Sequence, residues 1–168
     1  MLERKRKLDC ANGREKADLV LKNGNVLNVF TEEVLKADVA ICGDTIVGVG
    51  EYEGKEEIDC TGKYLVPGFI DAHMHIESCM AAPGELAKVL AKAGTTTIIA
   101  DPHEIVNVSG TKGMDYFLKC AAKLLVNVFF MVPSAVPATD VETNGCGEFL
   151  ASDMMKYVDC LLYTSPSP

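Results

Sequence analysis

Two histidines and two nearby carboxylates have the types and spacing that metal chemistry needs. His73 and His75 are separated by one residue, and Asp71 and Glu77 flank them. Side chains two residues apart on a strand share a face, so both imidazoles can bind one divalent cation. Asp71 falls on the same face, where its carboxylate could accept a hydrogen bond from a ligand histidine. The spacing therefore predicts a metal site with His73 and His75 as ligands and Asp71 behind them.

A second group of ionisable side chains follows the next predicted strand. Asp101, His103 and Glu104 lie within four residues of one another. Three such groups at the end of a strand indicate a role in a site. Metal binding, substrate binding and proton transfer are all compatible with these residue types. We therefore treat Glu77, Asp101, His103 and Glu104 as candidate catalytic residues whose individual roles stay open.

The elements that must position these residues show two patterns. Residues 18–66 contain short β-branched segments, with turn sequences at Asn23-Gly24 and Cys42-Gly43-Asp44. These turns predict hairpins in a small sheet or part of a β-sandwich. From residue 67 the pattern changes to longer apolar segments that alternate with helical periodicity. We assign 18–66 to part of a β-sandwich domain and 67–159 to α/β units.

The second region predicts the order strand, helix, strand, helix, strand. A buried strand is expected over 69–73, and a helix runs from Pro83 to a cap at Gly94. A strand over 95–100, a helix over 113–125 and a strand over 126–132 follow. This order implies parallel strands with helical crossovers, which is an α/β fold. Ligands gather at the carboxyl ends of such strands, where all three histidines of the chain fall.

Length, charge and composition exclude several classes of protein. The chain has 168 residues and a net charge of −8, which argues against a nucleic-acid partner because phosphate binding needs a basic surface. No apolar run approaches the roughly 20 residues that span a bilayer, so we expect no membrane association. A complete (β/α)8 barrel is excluded as well, because that fold needs roughly 250 residues. Seven cysteines without a C-x-x-C pair indicate reduced thiols in a cytoplasmic protein.

The two ends of the chain differ from the rest. Residues 1–17 are basic at the start and lack the apolar core of a signal peptide, so we expect a solvated N-terminal extension. Residues 160–168 end in a Ser/Pro-rich sequence unlike what precedes them. We interpret them as a non-native tail.

Several motifs of the chain resemble one enzyme family. The segment 66–75 (VPGFIDAHMH) resembles the first-strand motif of the amidohydrolase superfamily. Segments 76–78 (IES) and 101–108 (DPHEIVNV) narrow the resemblance to the metal-dependent adenine deaminases of that superfamily. The resemblance covers roughly residues 15–159.

The resemblance implies a fold, a reaction and a cofactor. It implies the N-terminal part of a (β/α)8 barrel, preceded by part of a small β-sandwich. The implied reaction is hydrolysis of adenine to hypoxanthine and ammonia in purine salvage, with a small-molecule purine base as partner and a homo-oligomeric full-length protein. The implied cofactor is a divalent metal, Mn2+ first, with Fe2+ or Zn2+ as alternatives. His73 and His75 would be ligands from the first strand, with Glu77 and residues 101–104 also in the site.

The resemblance also implies further ligands after strands four, five, six and eight, which this chain does not contain. We therefore expect an N-terminal fragment that is inactive alone. Three alternatives stay open. The first is another amidohydrolase that cleaves a cyclic amide or an N-acetyl group, and the second is a truncated product without turnover. The third, a cytidine-deaminase type, is disfavoured because His75-Ile76-Glu77 lacks the accompanying P-C-x-x-C.

Overall fold

The computed structural model divides the chain into two compact units, Met1–Pro67 and Gly68–Pro168. The sequence pattern changes between residues 66 and 67. The structure describes residues 2–134, 136–139, 141–142, 145–146, 148–158 and 163–164. In this part of the chain, no helix combines the length and the apolar character needed to cross a bilayer.

The first unit is built around one five-stranded sheet. Its strands are β1 (Ala17–Asn28), β2 (Glu33–Cys42), β3 (Thr45–Gly50), β4 (Gly54–Asp59) and β5 (Tyr64–Leu65). They are ordered β3-β2-β1-β4, and β5 also pairs with β1. β2 is antiparallel to β1 and β3, whereas β4 and β5 run parallel to β1. The described residues of this unit form a single sheet, so the β-sandwich stays a prediction.

One of the two predicted hairpin turns in this unit is wrong. β1 continues through Asn23 and Gly24 without reversing, and its register with β2 shifts between Leu21 and Gly24. Asn23 has a left-handed backbone with φ +60°. This Asn-Gly pair therefore makes an irregularity of the β-bulge kind inside a strand instead of a two-residue turn. The turn between β2 and β3 is present and uses Gly43 at φ +62°.

An α-helix, α1 (Leu2–Ala11), occupies most of the region that we expected to be a solvated extension. Its described side chains are exposed or half-buried, except that Cys10 is fully buried. Lys7 Nζ lies 2.8 Å from Asp44 Oδ1 and 2.8 Å from Thr45 Oγ1. The helix is therefore attached to the β2–β3 turn. A helix made mostly of charged residues shows no apolar stripe, which is why hydrophobic periodicity did not predict it.

The second unit confirms the predicted βαβαβ order. Its strands are β6 (Phe69–Met74), β7 (Thr95–Ala100), β8 (Asn127–Val132) and β9 (Tyr163–Thr164), and its helices are α2 (Pro83–Lys92), α3 (His103–Ser109), α4 (Thr111–Ala121) and α5 (Ala151–Met154). The sheet order is β6-β7-β8-β9, and every neighbouring pair is parallel. Pro83 begins α2 as predicted, and Gly94 follows its last turn with φ +91°.

The core of this unit lies between the sheet and its helices. Apolar side chains from β7 and β8 pack against side chains from α3 and α4. The core residues from these elements are Ile98, Ala100, Phe130, Val132, Val106, Met114 and Phe117. Because β7 and β8 lie inside the sheet, they are the strands that anchor this unit.

β6 is not the buried strand that its apolar sequence predicted. Phe69 is 64% exposed and Ile70 is 65% exposed. Among the described residues, β6 pairs with β7 alone, so it lies at the edge of this sheet. An apolar run predicts burial only where another element covers the strand, and no described residue buries Phe69 or Ile70.

Two further regions differ from their predicted boundaries. The structure has a separate helix, α3, directly after β7, and α4 starts and ends earlier than the predicted 113–125. In the predicted tail, the backbone of Tyr163–Thr164 pairs with Met131 and Val132. Residues 160–162 and 165–168 lie outside the described part of the chain.

Candidate metal centre

The pairing of β6 with β7 brings the two groups of ionisable side chains together. Met74 is the register partner of Ala100, and the Asp101 amide donates to the Met74 carbonyl at 2.9 Å. The ends of both strands therefore lie side by side. This places Asp101 next to His73 and His75, which flank Met74.

His73, His75 and Asp101 form a candidate metal-binding cluster. One ligand atom from each lies within 4.8 Å of the others. His73 Nε2 and His75 Nε2 are 3.2 Å apart. Two imidazole nitrogens bound to one tetrahedral cation at about 2.1 Å would be about 3.4 Å apart, close to this distance. The two nitrogens and one carboxylate therefore fit a divalent transition metal.

Glu104 lies behind His75, on the side away from His73. Glu104 Oε2 is 2.9 Å from His75 Nδ1, and Oε1 accepts a hydrogen bond from Ser78 Oγ at 2.8 Å. Burial opposes the charged form, but the Ser78 and His75 contacts outweigh it and hold the pKa of Glu104 below its usual range. Glu104 is therefore a carboxylate that supports the imidazole of His75.

Glu77 joins the short 3-10 turn Glu77–Cys79 to α3. Its Oε1 accepts a hydrogen bond from the Ile105 amide at 2.9 Å. Its Oε2 is buried and has no hydrogen-bond partner among the described residues. Burial raises the pKa of Glu77. One oxygen of Glu77 therefore has a structural role, and the other is a buried acceptor without a partner among the described residues.

Asp71 and His103 do not join the cluster. Asp71 Oδ1 accepts from the His73 backbone amide at 3.1 Å, so the structure does not show the predicted bond to a histidine ring. The physical reason is that a carboxylate two residues before an amide reaches that backbone more easily than it reaches a side chain. His103 Nε2 instead contacts Asn107 Nδ2 at 3.0 Å, one turn along α3.

Ser78 and Asn107 contact candidate site residues, and sequence reasoning missed the roles of both. Ser78 stands in a segment that carried the resemblance, but its partner Glu104 is 26 residues away. Asn107 stands four residues after His103, a spacing that places two side chains on one helix face. That spacing is the signal that could have found Asn107 once α3 was known.

Two open cavities of the structure lie away from these residues. One, of about 880 Å3, is in the first unit, and its lining includes Lys22, Asp38 and Tyr52. The other, of about 480 Å3, is at the start of α4, and its lining includes Cys146 and Phe149. Neither lining includes a member of the candidate cluster. Ligand geometry, not a deep cavity, therefore identifies this site.

Curated proteins similar to this chain include two bacterial adenine deaminases. The chain is 57% identical over 146 residues to the adenine deaminase of Desulfitobacterium hafniense, which covers 87% of this chain and 26% of the relative. It is 50% identical over 153 residues to the adenine deaminase of Clostridium acetobutylicum, which covers 91% and 27% respectively. The chain therefore spans about a quarter of the length of these relatives.

Solved structures show the same fold at lower sequence identity. A variant of atrazine chlorohydrolase from Arthrobacter aurescens, solved with zinc and atraton, has a TM-score of 0.62 at 19% identity and covers 89% of this chain and 44% of that protein. A triazine hydrolase variant has a TM-score of 0.63 at 20% identity and covers 91% of this chain and 44% of that protein.

A comparison with models of protein families shows the family of this chain. The model of the amidohydrolase family matches residues 64–159, which is more than half of the chain. The match contains β6, β7 and β8 and all three residues of the candidate metal-binding cluster. This chain belongs to the amidohydrolase family.

Proposed function

We propose that this chain carries the first metal-binding strand of an enzyme that hydrolyses adenine to hypoxanthine and ammonia, as in purine salvage. One observation carries the proposal. His73, His75 and Asp101 converge at the ends of two adjacent parallel strands, within a chain 57% identical over 146 residues to an adenine deaminase. Such strand ends are where α/β enzymes assemble their sites.

We propose Mn2+ as the metal, as the resemblance to adenine deaminases implies, with Fe2+ and Zn2+ as alternatives. Imidazole suits iron and zinc, and a carboxylate suits manganese, so a mixed set of two imidazoles and one carboxylate accommodates each. Bound there, the metal would lower the pKa of a coordinated water to about 7 and so supply the nucleophile. His73, His75 and Asp101 would hold it through their nitrogen and oxygen atoms.

Glu77 is the residue that we propose to move a proton in this reaction. Its Oε2 has no hydrogen-bond partner among the described residues, whereas both oxygens of Glu104 are engaged. A general acid needs an oxygen atom that can hold the proton until the leaving group takes it. Glu77 Oε2 would hold the proton that the departing amino group receives.

The second unit supports an incomplete (β/α)8 barrel, because it provides three consecutive parallel strands with helical crossovers. We propose that the sheet of the first unit is part of a small β-sandwich and that the protein works in the cytoplasm. The substrate would be a free purine base, and the full-length enzyme would be a homo-oligomer. The chain spans about a quarter of the relatives' length, so we propose that catalysis uses further strands.

A hybrid enzyme tests this proposal. The 146 residues of this chain that match the Desulfitobacterium hafniense adenine deaminase would replace the corresponding segment of that protein. The purified hybrid, loaded with Mn2+, would be assayed for ammonia release from adenine. We expect turnover with adenine and none with a cyclic amide or an N-acetyl compound.

A matched pair of variants provides the control. Glu77→Gln in the hybrid should reduce turnover by about 100-fold or more, because general acid–base groups contribute roughly 10²- to 10⁴-fold. Glu85→Gln, on the exposed face of α2, should leave turnover within about twofold. A folded, metal-loaded hybrid that cleaves the cyclic amide but not adenine would overturn the proposal in favour of another amidohydrolase activity.

A further inference from the structure

We propose that Glu104 is a positioning residue that fixes the tautomer of His75, and that Ser78 in turn holds Glu104 in place. This inference rests on the proposed metal site and assigns a role that the sequence left open. It concerns three side chains in consecutive contact, Ser78, Glu104 and His75, which we call the His75 relay. The relay would determine which imidazole nitrogen of His75 is offered to the metal.

In the relay, Glu104 is the hydrogen-bond acceptor for both of its neighbours. Ser78 Oγ donates to Glu104 Oε1 at 2.8 Å, and Glu104 Oε2 lies 2.9 Å from His75 Nδ1. An ionised carboxylate only accepts hydrogen bonds, so the proton between Glu104 and His75 belongs to Nδ1. A neutral imidazole with Nδ1 protonated has its lone pair on Nε2.

In this tautomer, the unprotonated nitrogen Nε2 is on the side where a metal would bind. His75 Nε2 is the atom that faces His73 Nε2, at 3.2 Å. The relay therefore leaves the lone pair of His75 on the side of the candidate cluster. A carboxylate on the far nitrogen of a ligand histidine also raises the basicity of the coordinating nitrogen.

The surrounding backbone keeps the relay assembled. Ser78 belongs to the 3-10 turn Glu77–Cys79, and Glu104 is in the first turn of α3. The hydrogen bond from the Ile105 amide to Glu77 Oε1, at 2.9 Å, connects these two elements one residue away from Ser78 and Glu104. The serine hydroxyl therefore faces the carboxylate without depending on a long, flexible side chain.

The contacts of Glu104 argue against a direct catalytic role. Each of its oxygens already has a partner. These contacts orient the carboxylate toward Ser78 and His75. Among the described residues, the cluster that can hold a metal comprises His73, His75 and Asp101 and does not include Glu104.

Nitrogen NMR of the full 168-residue chain tests the tautomer directly. The chain has three histidines, so a 15N-histidine spectrum contains few signals and each can be assigned by substitution. In the neutral imidazole of His75, we expect a protonated Nδ1 and an unprotonated Nε2. Added Zn2+ should shift the Nε2 signals of His73 and His75 and leave Nδ1 of His75 protonated. A neutral imidazole protonated on Nε2 in the metal-free chain, or coordination of Zn2+ through Nδ1, would overturn the proposal.

Metal affinity of variants tests the relay as a unit. Glu104→Ala should weaken Zn2+ binding by roughly 10- to 100-fold, the loss typical of removing the partner of a ligand histidine. Glu104→Gln keeps the shape and one acceptor oxygen, so it should weaken Zn2+ binding less than Glu104→Ala does. Ser78→Ala should weaken Zn2+ binding the least of the three. Two matched controls, Glu85→Ala and Ser109→Ala, have partners outside the relay and should stay within about twofold of the unmodified chain.

The same variants in the hybrid enzyme separate this proposal from the proposed function. Metal retained after dialysis would be measured for each hybrid, independently of turnover. A Glu104→Gln or Glu104→Ala hybrid that keeps full metal content but loses turnover would show Glu104 to be catalytic and would overturn the positioning role. A hybrid that follows the predicted order of metal loss but does not deaminate adenine would support the relay and contradict only the proposed substrate.

Discussion

His73 and His75 have different surroundings from His103, although all three lie at or just after the ends of parallel strands. His73 and His75 face each other through Nε2, whereas His103 contacts Asn107 within its own helix. We expect His73→Asn and His75→Asn each to weaken Mn2+ binding by at least about 100-fold, because even partners behind a ligand cost 10- to 100-fold. His103→Asn should leave the affinity within about threefold. Calorimetric titration of the chain with Mn2+ measures all three.

The result that would contradict this prediction is specific. If His103→Asn weakened Mn2+ binding as much as His75→Asn, the metal would lie closer to α3 than the candidate cluster. Circular dichroism spectra of the variants would show that each remains folded as the unmodified chain does.

The sequence predicted the two histidines because a strand places alternate side chains on one face. That rule needs only the local spacing of His73 and His75. Asp101 could be placed near them but not given a role, because its contact depends on how β6 and β7 pair. Glu104 and Ser78 could not be connected in advance, since the start of α3 and the turn after β6 meet only in the folded unit. Asp71 contacts the His73 backbone amide and not, as we predicted, an imidazole.

At the scale of elements, the close approach of α3 and α4 depends on one glycine. A Cβ added at Gly113 would lie 2.7 Å from the Ile105 carbonyl oxygen and 2.7 Å from Ser109 Oγ. We expect Gly113→Ala to lower the free energy of unfolding by about 1–3 kcal/mol, the usual cost of forcing extra volume into a packed site. Chemical denaturation of the chain measures it.

Gly84 in α2 is the matched control for this prediction. A Cβ there would meet nothing within 4 Å. Gly84→Ala should therefore raise stability by about 0.4–1 kcal/mol, because alanine reduces the entropy of the unfolded chain. Equal effects of the two substitutions would contradict the predicted crowding between α3 and α4.

A buried carboxylate makes the sheet of the first unit sensitive to acid. Asp38 on β2 accepts hydrogen bonds from Lys22 Nζ at 2.6 Å, from the Asn23 amide at 2.9 Å and from the Tyr52 amide at 3.2 Å. Burial opposes the charge, but these donors hold the pKa of Asp38 below its usual range. The stabilisation is present above the unfolded pKa of about 3.9 and is lost as pH falls through the lower folded pKa.

We therefore expect the free energy of unfolding of the first unit to decrease below about pH 4. Asp38→Asn should lower it by about 1–3 kcal/mol at pH 7, because one acceptor oxygen becomes an NH2 donor and the negative charge is lost, and should weaken the acid dependence. The exposed Glu56 provides the control substitution, Glu56→Gln. Denaturation curves at pH 7 and pH 3 would contradict the prediction if Asp38→Asn kept the acid dependence of the unmodified chain.

The order of elements in the second unit could be predicted because the strands and helices differ clearly in residue pattern and in the residues that bound them. β7 is β-branched, and α2 begins at a proline and is followed by a glycine. Two failures have physical causes. The Asn23-Gly24 pair fits a bulge as well as a turn, and only pairing with β2 decides between them. The apolar sequence of β6 indicated burial, but burial depends on what covers the strand.

At the scale of the whole molecule, the two units contribute differently to the proposed activity. The candidate cluster lies entirely in Gly68–Pro168, at the ends of β6 and β7. In this unit, β6, β7 and β8 are consecutive parallel strands of one sheet. Because the chain spans about a quarter of its curated relatives, we expect the 168-residue chain to bind a divalent metal without releasing ammonia from adenine. Release of ammonia by the isolated, metal-loaded chain would contradict this expectation.

The rate of ammonia release from adenine by the Mn2+-loaded hybrid, with and without Asp101→Asn, tests the central claim most directly. Asp101 is the residue that the structure adds to the two histidines, so this substitution tests the geometry of the cluster and its chemistry together. We expect the hybrid to deaminate adenine, and we expect Asp101→Asn to lower both bound Mn2+ and the rate by at least about 10-fold. A hybrid that deaminates adenine at the same rate and with the same metal content after Asp101→Asn would contradict the proposed metal centre.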